Sequence, residues 1–164
     1  MTKKYELNVA YTDKGGANIG PITAKKSLVL IPARFLLISI DNTYPFSKLI
    51  VQDKYLNRET LKVPAIGNWL TLRLGDYDLS NINALRIGGW ITKQNVSWQF
   101  ELRLGSDTGT VLASGETAKD IVEKYSRTTL NLEAQSGVHD IYLAIRSTEK
   151  SNSELQLLDI SFHK

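Results

Sequence analysis

Trp98-Gln99-Phe100-Glu101-Leu102-Arg103-Leu104 alternates apolar and polar side chains without a break. Successive side chains of an extended chain point to opposite faces, so this stretch sends Trp98, Phe100, Leu102 and Leu104 inward and leaves Gln99, Glu101 and Arg103 in water. The same period of two runs through Ala84-Leu85-Arg86-Ile87 and Leu130-Asn131-Leu132. Further strand candidates are Tyr5 to Tyr11, Ser27 to Ile31, Phe35 to Ile40, Trp69 to Leu74, Asp140 to Ile145 and Leu155 to Phe162. Turn formers punctuate them: Asp13-Lys14-Gly15-Gly16, Asp41-Asn42, Ile66-Gly67-Asn68, Gly88-Gly89, Ser106-Asp107-Thr108-Gly109 and Ser151-Asn152-Ser153. Many short strands at this spacing predict an all-β chain folded as an antiparallel β-sandwich.

One stretch dissents. Ala118, Ile121, Val122 and Tyr125 recur at helical spacing, but the segment is too short for a stable isolated helix and reads as a loop with one turn. Pro21 and Pro32 flank the strand from Ile22 to Ile31, and Pro32 marks a boundary. Residues 1–32 are then an N-terminal hairpin, either the tail of a preceding domain or the first strands of the sandwich, and residues 33–164 the sandwich itself.

Composition narrows the function. With 164 residues, 42% of them hydrophobic and 23% charged, the chain can bury a core without metal or disulfide staples. Twenty Lys and Arg against 17 Asp and Glu leave a net charge of +3, spread along the chain, which argues against a dedicated nucleic-acid surface. No apolar run approaches the about 20 residues of a bilayer-spanning helix. The absence of cysteine excludes disulfides and thiolate chemistry, and with only His139 and His163, mechanisms needing two placed histidines are disfavoured. No secretion signal follows Met1, so either the protein stays inside the cell or the chain is a mature fragment with a new starting Met.

Catalytic constellations are sparse. There is no Gly-rich phosphate loop, zinc-protease motif or nucleophile elbow. The carboxylates Asp53 with Glu59, or Asp76 with Asp78, sit in polar, turn-rich stretches where solvated surface acids are the ordinary outcome. The aromatic residues are more informative. Trp69 and Trp98 lie within alternating strands and are expected in the core. Trp90 follows Gly88-Gly89, Tyr125 ends a long polar loop, and Tyr44 lies between Asn42 and Pro45. For Trp90 and Tyr125, core packing and surface exposure both remain open. An exposed aromatic face suits a sugar, whose axial C–H groups lie on the π surface while nearby amides bond its hydroxyls.

From Gly67-Asn68-Trp69-Leu70 onward the pattern becomes specific. Phe100-Glu101-Leu102-Arg103-Leu104-Gly105-Ser106-Asp107-Thr108-Gly109-Thr110-Val111-Leu112 is followed by Ser136-Gly137-Val138-His139-Asp140-Ile141-Tyr142-Leu143 and a closing Leu157-Leu158-Asp159-Ile160-Ser161-Phe162. This succession resembles carbohydrate-binding module family 6, whose members carry I-E-V-R-L-D-S-x-x-G, then G-x-H-D-L-Y-L, then a final strand ending in Phe. The resemblance implies a galactose-binding-like jelly roll, no catalytic activity, and recognition of an oligosaccharide or polysaccharide at loops on one end of the sandwich. The segment from Tyr11 to Leu30 is similar to what precedes such modules in large secreted sugar dehydrogenases and related glycan-processing proteins. That implies a C-terminal module working beside other domains of one polypeptide, extracellular or periplasmic, that targets the larger enzyme to glycan. The alternative is a structural or protein-contact sandwich that has lost its sugar site.

The resemblance also assigns residues. The family's Tyr before the Gly-Asp-Trp segment falls at Val63 or a near neighbour, its loop aromatic at Tyr125 or Val122, and its closing-strand Asn at Gln156, which keeps the amide. His139 takes the place of a strand histidine read as structural. The expected carbohydrate-binding residues are Trp90, Tyr125, Gln156 and Tyr44. The family's acidic early strand falls on Phe35-Leu36-Leu37-Ile38-Ser39-Ile40-Asp41, which has no Glu, so a structural calcium would lack an acidic ligand and no cofactor is expected.

Overall fold

The computed structural model describes residues 5–15, 20–30, 34–35, 50–53, 58–92, 96–117 and 125–164. Two compact units divide the chain, Lys3–Pro32 and Ala33–Lys164. In the first, β1 (Tyr5–Thr12) pairs antiparallel with β2 (Thr23–Leu30), from Tyr5 opposite Leu30 to Thr12 opposite Thr23. Asp13 shapes the connection by accepting the backbone N–H groups of Gly15 and Ile22, each at 2.9 Å. Those two bonds favour the carboxylate and hold its pKa below the ordinary value.

The second unit contains the remaining strands: β3 (Arg34–Phe35), β4 (Ile50–Asp53), β5 (Arg58–Ile66), β6 (Leu70–Asp78), β7 (Ala84–Ile91), β8 (Trp98–Leu104), β9 (Val111–Glu116), β10 (Tyr125–Asn131), β11 (Val138–Ser147) and β12 (Lys150–His163). One sheet runs β10-β7-β12-β5-β4 with β3 also beside β12, and the other runs β6-β11-β8-β9. Every pairing between these strands is antiparallel. Chain-neighbouring strands are thus often placed in opposite sheets, as a jelly roll requires.

Alternation builds the core. β8 buries Trp98, Phe100 and Leu102, while β11 adds Ile141, Leu143 and Ile145 from the same sheet. The larger sheet answers with Leu61 and Val63 of β5, Leu85, Ile87 and Ile91 of β7, and Leu155, Leu157 and Ile160 of β12. The Tyr77 ring of β6 meets Phe162 of β12 with centroids 4.4 Å apart, joining the two layers. Two expectations need correction. Leu104, the last residue of its strand, is only half-buried because the chain turns away at Gly105. Trp69 is not in the core: it precedes β6 on the outward side of the smaller sheet, half-buried, with the Arg146 and Arg103 guanidinium carbons 4.5 and 5.1 Å from its ring centroid. Two cations over one indole hold it on the surface by cation–π attraction.

The expected segment from Phe35 to Ile40 lies, beyond Phe35, outside the described residues, as do residues 118–124, whose spacing suggested one helical turn. Tyr125 itself opens β10 rather than ending a loop, and Trp90 and Gln156 lie within β7 and β12, so these three residues stand on strands and not on loops at one end of the sandwich. No helix among the described residues is long and apolar enough to cross a membrane.

Candidate functional site

The outward face of the larger sheet follows from strand parity. On β7, Leu85, Ile87, Gly89 and Ile91 turn inward, which leaves Arg86, Gly88 and Trp90 outward. On β10, Ser126, Thr128 and Leu130 turn inward and Tyr125, Arg127 and Thr129 outward. The register then sets Tyr125 beside Trp90, Trp90 beside Gln156 and Gln156 beside Lys62, a single row across four strands. Neighbouring strands stand about 4.8 Å apart, so two aromatic side chains and an amide are adjacent along this row. Trp90 is 39% exposed and Tyr125 42%, so both side chains are partly open to water, and the Arg127 guanidinium carbon stands 5.6 Å from the Tyr125 ring centroid.

Polar contacts fix the surroundings. Gln156 donates Nε2–H to Thr60 Oγ1 at 3.0 Å, which orients its amide. The Lys62 ammonium lies 3.9 Å from Glu154 Oε2, an exposed pair of little energetic weight. Tyr125 donates its hydroxyl to Asp159 Oδ2 at 2.8 Å and accepts from Arg127 Nη2 at 3.2 Å. That bond to Tyr125, with the nearby Asp159 charge, raises the Arg127 guanidinium pKa still further.

Asp159 reaches this face through an irregularity that the sequence does not announce. Leu157 pairs with Gly89 and Asp159 with Gly88, leaving Leu158 as the extra residue of a bulge. The bulge reverses strand parity, so Gln156 and Asp159 share the outward face where strict alternation would have opposed them.

The other expected positions divide. Tyr44 lies outside the described residues, as does Val122. Val63 is fully buried in β5 and faces the core. His139 bonds Ser136 O at 2.8 Å through Nε2. Asp76 and Asp78 are exposed on β6, and hydrogen bonds from Ser80 hold the Asp78 carboxyl below its usual range, which opposes a proton-donor role. Asp53 and Glu59 stand on paired strands, with Asp53 opposite Arg58 and Gln52 opposite Glu59. Among the described residues no group of three His, Cys, Asp or Glu is placed to hold a metal ion.

A jelly-roll sandwich carrying two exposed aromatic side chains and a half-buried amide in one row has the form of the ligand-binding β-sandwich modules. The description of carbohydrate binding module family 6 matches residues 50–164, and the chain belongs to that family. It is a carbohydrate-binding module, in a family of non-catalytic modules. Solved structures share the fold. A Clostridium cellulolyticum family 6 module in complex with xylose superimposes with a TM-score of 0.62 at 17% identity, covering 80% of this chain and 96% of that one. A β-1,3-glucan-binding module from Bacillus halodurans gives 0.58 at 16% identity, covering 80% and 95%. A Clostridium stercorarium module in complex with cellobiose gives 0.57 at 16% identity, covering 80% and 92%. No curated protein matches the chain.

Proposed function

We propose that this module holds glycan on the outward face of its larger sheet, at Trp90, Tyr125 and Gln156. The observation that carries the reading is the register row in which two partly exposed aromatic residues stand on neighbouring strands beside an oriented amide. The rings offer C–H/π contact to a pyranose and Gln156 bonds a hydroxyl. Contacts this few give weak binding, on the order of 0.1–1 mM. Weak binding suffices on a polymer, because repeated attachment keeps a tethered partner at high effective concentration. Neutral β-glucans and xylans are the ligand class, a choice supported by the cellobiose and xylose complexes and the β-1,3-glucan-binding module that share this fold.

In this reading the module itself carries no catalytic activity and uses no cofactor. It serves a larger glycan-processing polypeptide in the extracellular or periplasmic space, as modules of its family usually do. Calorimetric titration of the chain with cellobiose, xylose and soluble β-1,3-glucan tests it. Binding to one or more is expected, and Trp90→Ala is expected to weaken it at least about tenfold while the chain stays folded, a loss in the range of interface aromatic truncations. Equal affinity in wild type and variant would place the sugar elsewhere.

A further inference from the structure

The Tyr125 side chain crosses a neighbouring strand to reach its partner. Its backbone is on β10 and its acceptor, Asp159, on β12, with β7 between them. Two strand spacings come to roughly 10 Å, a span the phenol covers only by lying across β7. It crosses at Gly88, which pairs with Arg127 on one side and Asp159 on the other. Gly88 is buried although its strand position faces outward, because these neighbours cover it. A Cβ built on Gly88 would stand 2.2 Å from the Tyr125 hydroxyl and 2.6 Å from Asp159 Oδ2, so the crossing needs a residue without a side chain. An aromatic laid over a strand glycine also shields backbone that glycine leaves bare.

We infer that Asp159 and Gly88 are positioning residues for sugar binding: Gly88 opens the path, and Asp159 anchors the Tyr125 hydroxyl so that its ring is held beside Trp90. The inference rests on the glycan-binding reading above and adds residues that need not touch the sugar. Without the anchor, the Tyr125 ring is free to leave the sheet about its side-chain torsions, and fixing it again on binding costs conformational entropy. The Arg127 donor on the same hydroxyl biases its proton toward Asp159, completing a chain of two charge-assisted bonds.

A double-mutant cycle on the full chain tests this, with cellobiose and soluble β-1,3-glucan as probes in calorimetry. Tyr125→Phe keeps the ring and loses the anchor, and Asp159→Ala removes the acceptor. Each is expected to weaken binding about fivefold, and the double variant no further, because both remove one bond. Asp159→Asn keeps an acceptor oxygen and is expected to restore most of the affinity, which a general structural defect would not predict. Without sugar, nuclear Overhauser contacts between the Tyr125 ring and the Gly88 α-protons are expected in the wild type and lost in Tyr125→Phe. That measurement stands if Asp159→Ala fails to fold. Multiplicative losses in the double variant, or undiminished binding in Tyr125→Phe while Trp90→Ala abolishes it, would overturn the positioning role alone. A wild-type chain silent toward both probes would remove the glycan reading and this inference with it.

Discussion

The chemistry of single residues here is decided by which side of a strand they occupy. Trp98 and Trp90 are the same residue type, yet one is fully buried and the other 39% exposed, because the first follows the inward parity of β8 and the second the outward parity of β7. The alternation around Trp98 was readable directly, whereas Gly88-Gly89 before Trp90 left its parity undefined. Trp69 misled because the stretch after it alternates, but it stands one residue before the strand, on the outward face against two arginines. Tyr77 shows burial acting on a titratable group: it is 4% exposed, and desolvation of the phenolate pushes its pKa up to about 12 from 10.0. Since the folded value exceeds the unfolded one, this contribution to stability is complete below pH 10 and declines as pH rises toward 12. Melting temperatures at pH 9 and 11 are expected to fall less in Tyr77→Phe than in wild type. An identical fall in both would contradict the assignment.

At the scale of elements, strands were legible where the inward residues are large. β9 and β10 escaped, wholly or in part, because they turn small or polar side chains inward: Ala113 and Gly115 on one, Ser126 and Thr128 on the other. β5 escaped for a different reason. Leu61, Val63 and Ala65 alternate properly, but Pro64 speaks against an interior strand. The sheet tolerates it because Pro64 faces Glu154 beside the register shift in β12, where the missing N–H does not interrupt a regular ladder. Turns were clearer. Ser106-Asp107-Thr108-Gly109 does join β8 to β9, closed by Leu104 N–H to Thr110 O at 3.0 Å and Gly109 N–H to Ser106 O at 3.1 Å. Gly109 packs so tightly that an added Cβ would stand 1.7 Å from the Leu104 carbonyl oxygen. Gly109→Ala is expected to cost about 1–3 kcal/mol of stability through backbone strain. Urea unfolding checks this, and sugar affinity is expected to hold, since this turn belongs to the sheet without Trp90 and Tyr125. A variant as stable as wild type would show that the turn can reshape freely.

Across the whole molecule, periodicity was enough to reach an antiparallel sandwich, and the ordered motifs of its second half were enough to reach the family. The site was only half legible. The resemblance pointed to Tyr125 and Gln156, but their meeting with Trp90 depends on register across three strands, which no local pattern encodes. Asp159 was beyond reach, because a bulge decides which way it faces. The proposed function requires glycan to bind on this face and not on the Trp69 face of the opposite sheet. Nitrogen-15 correlation spectra of the labelled chain, titrated with cellobiose and soluble β-1,3-glucan, test it most directly. The Trp90 indole N–H, the Gln156 side-chain amide and the Tyr125 backbone amide are expected to shift together along one binding curve. Shifts confined to Trp69 and its arginines, or none at all, would contradict it.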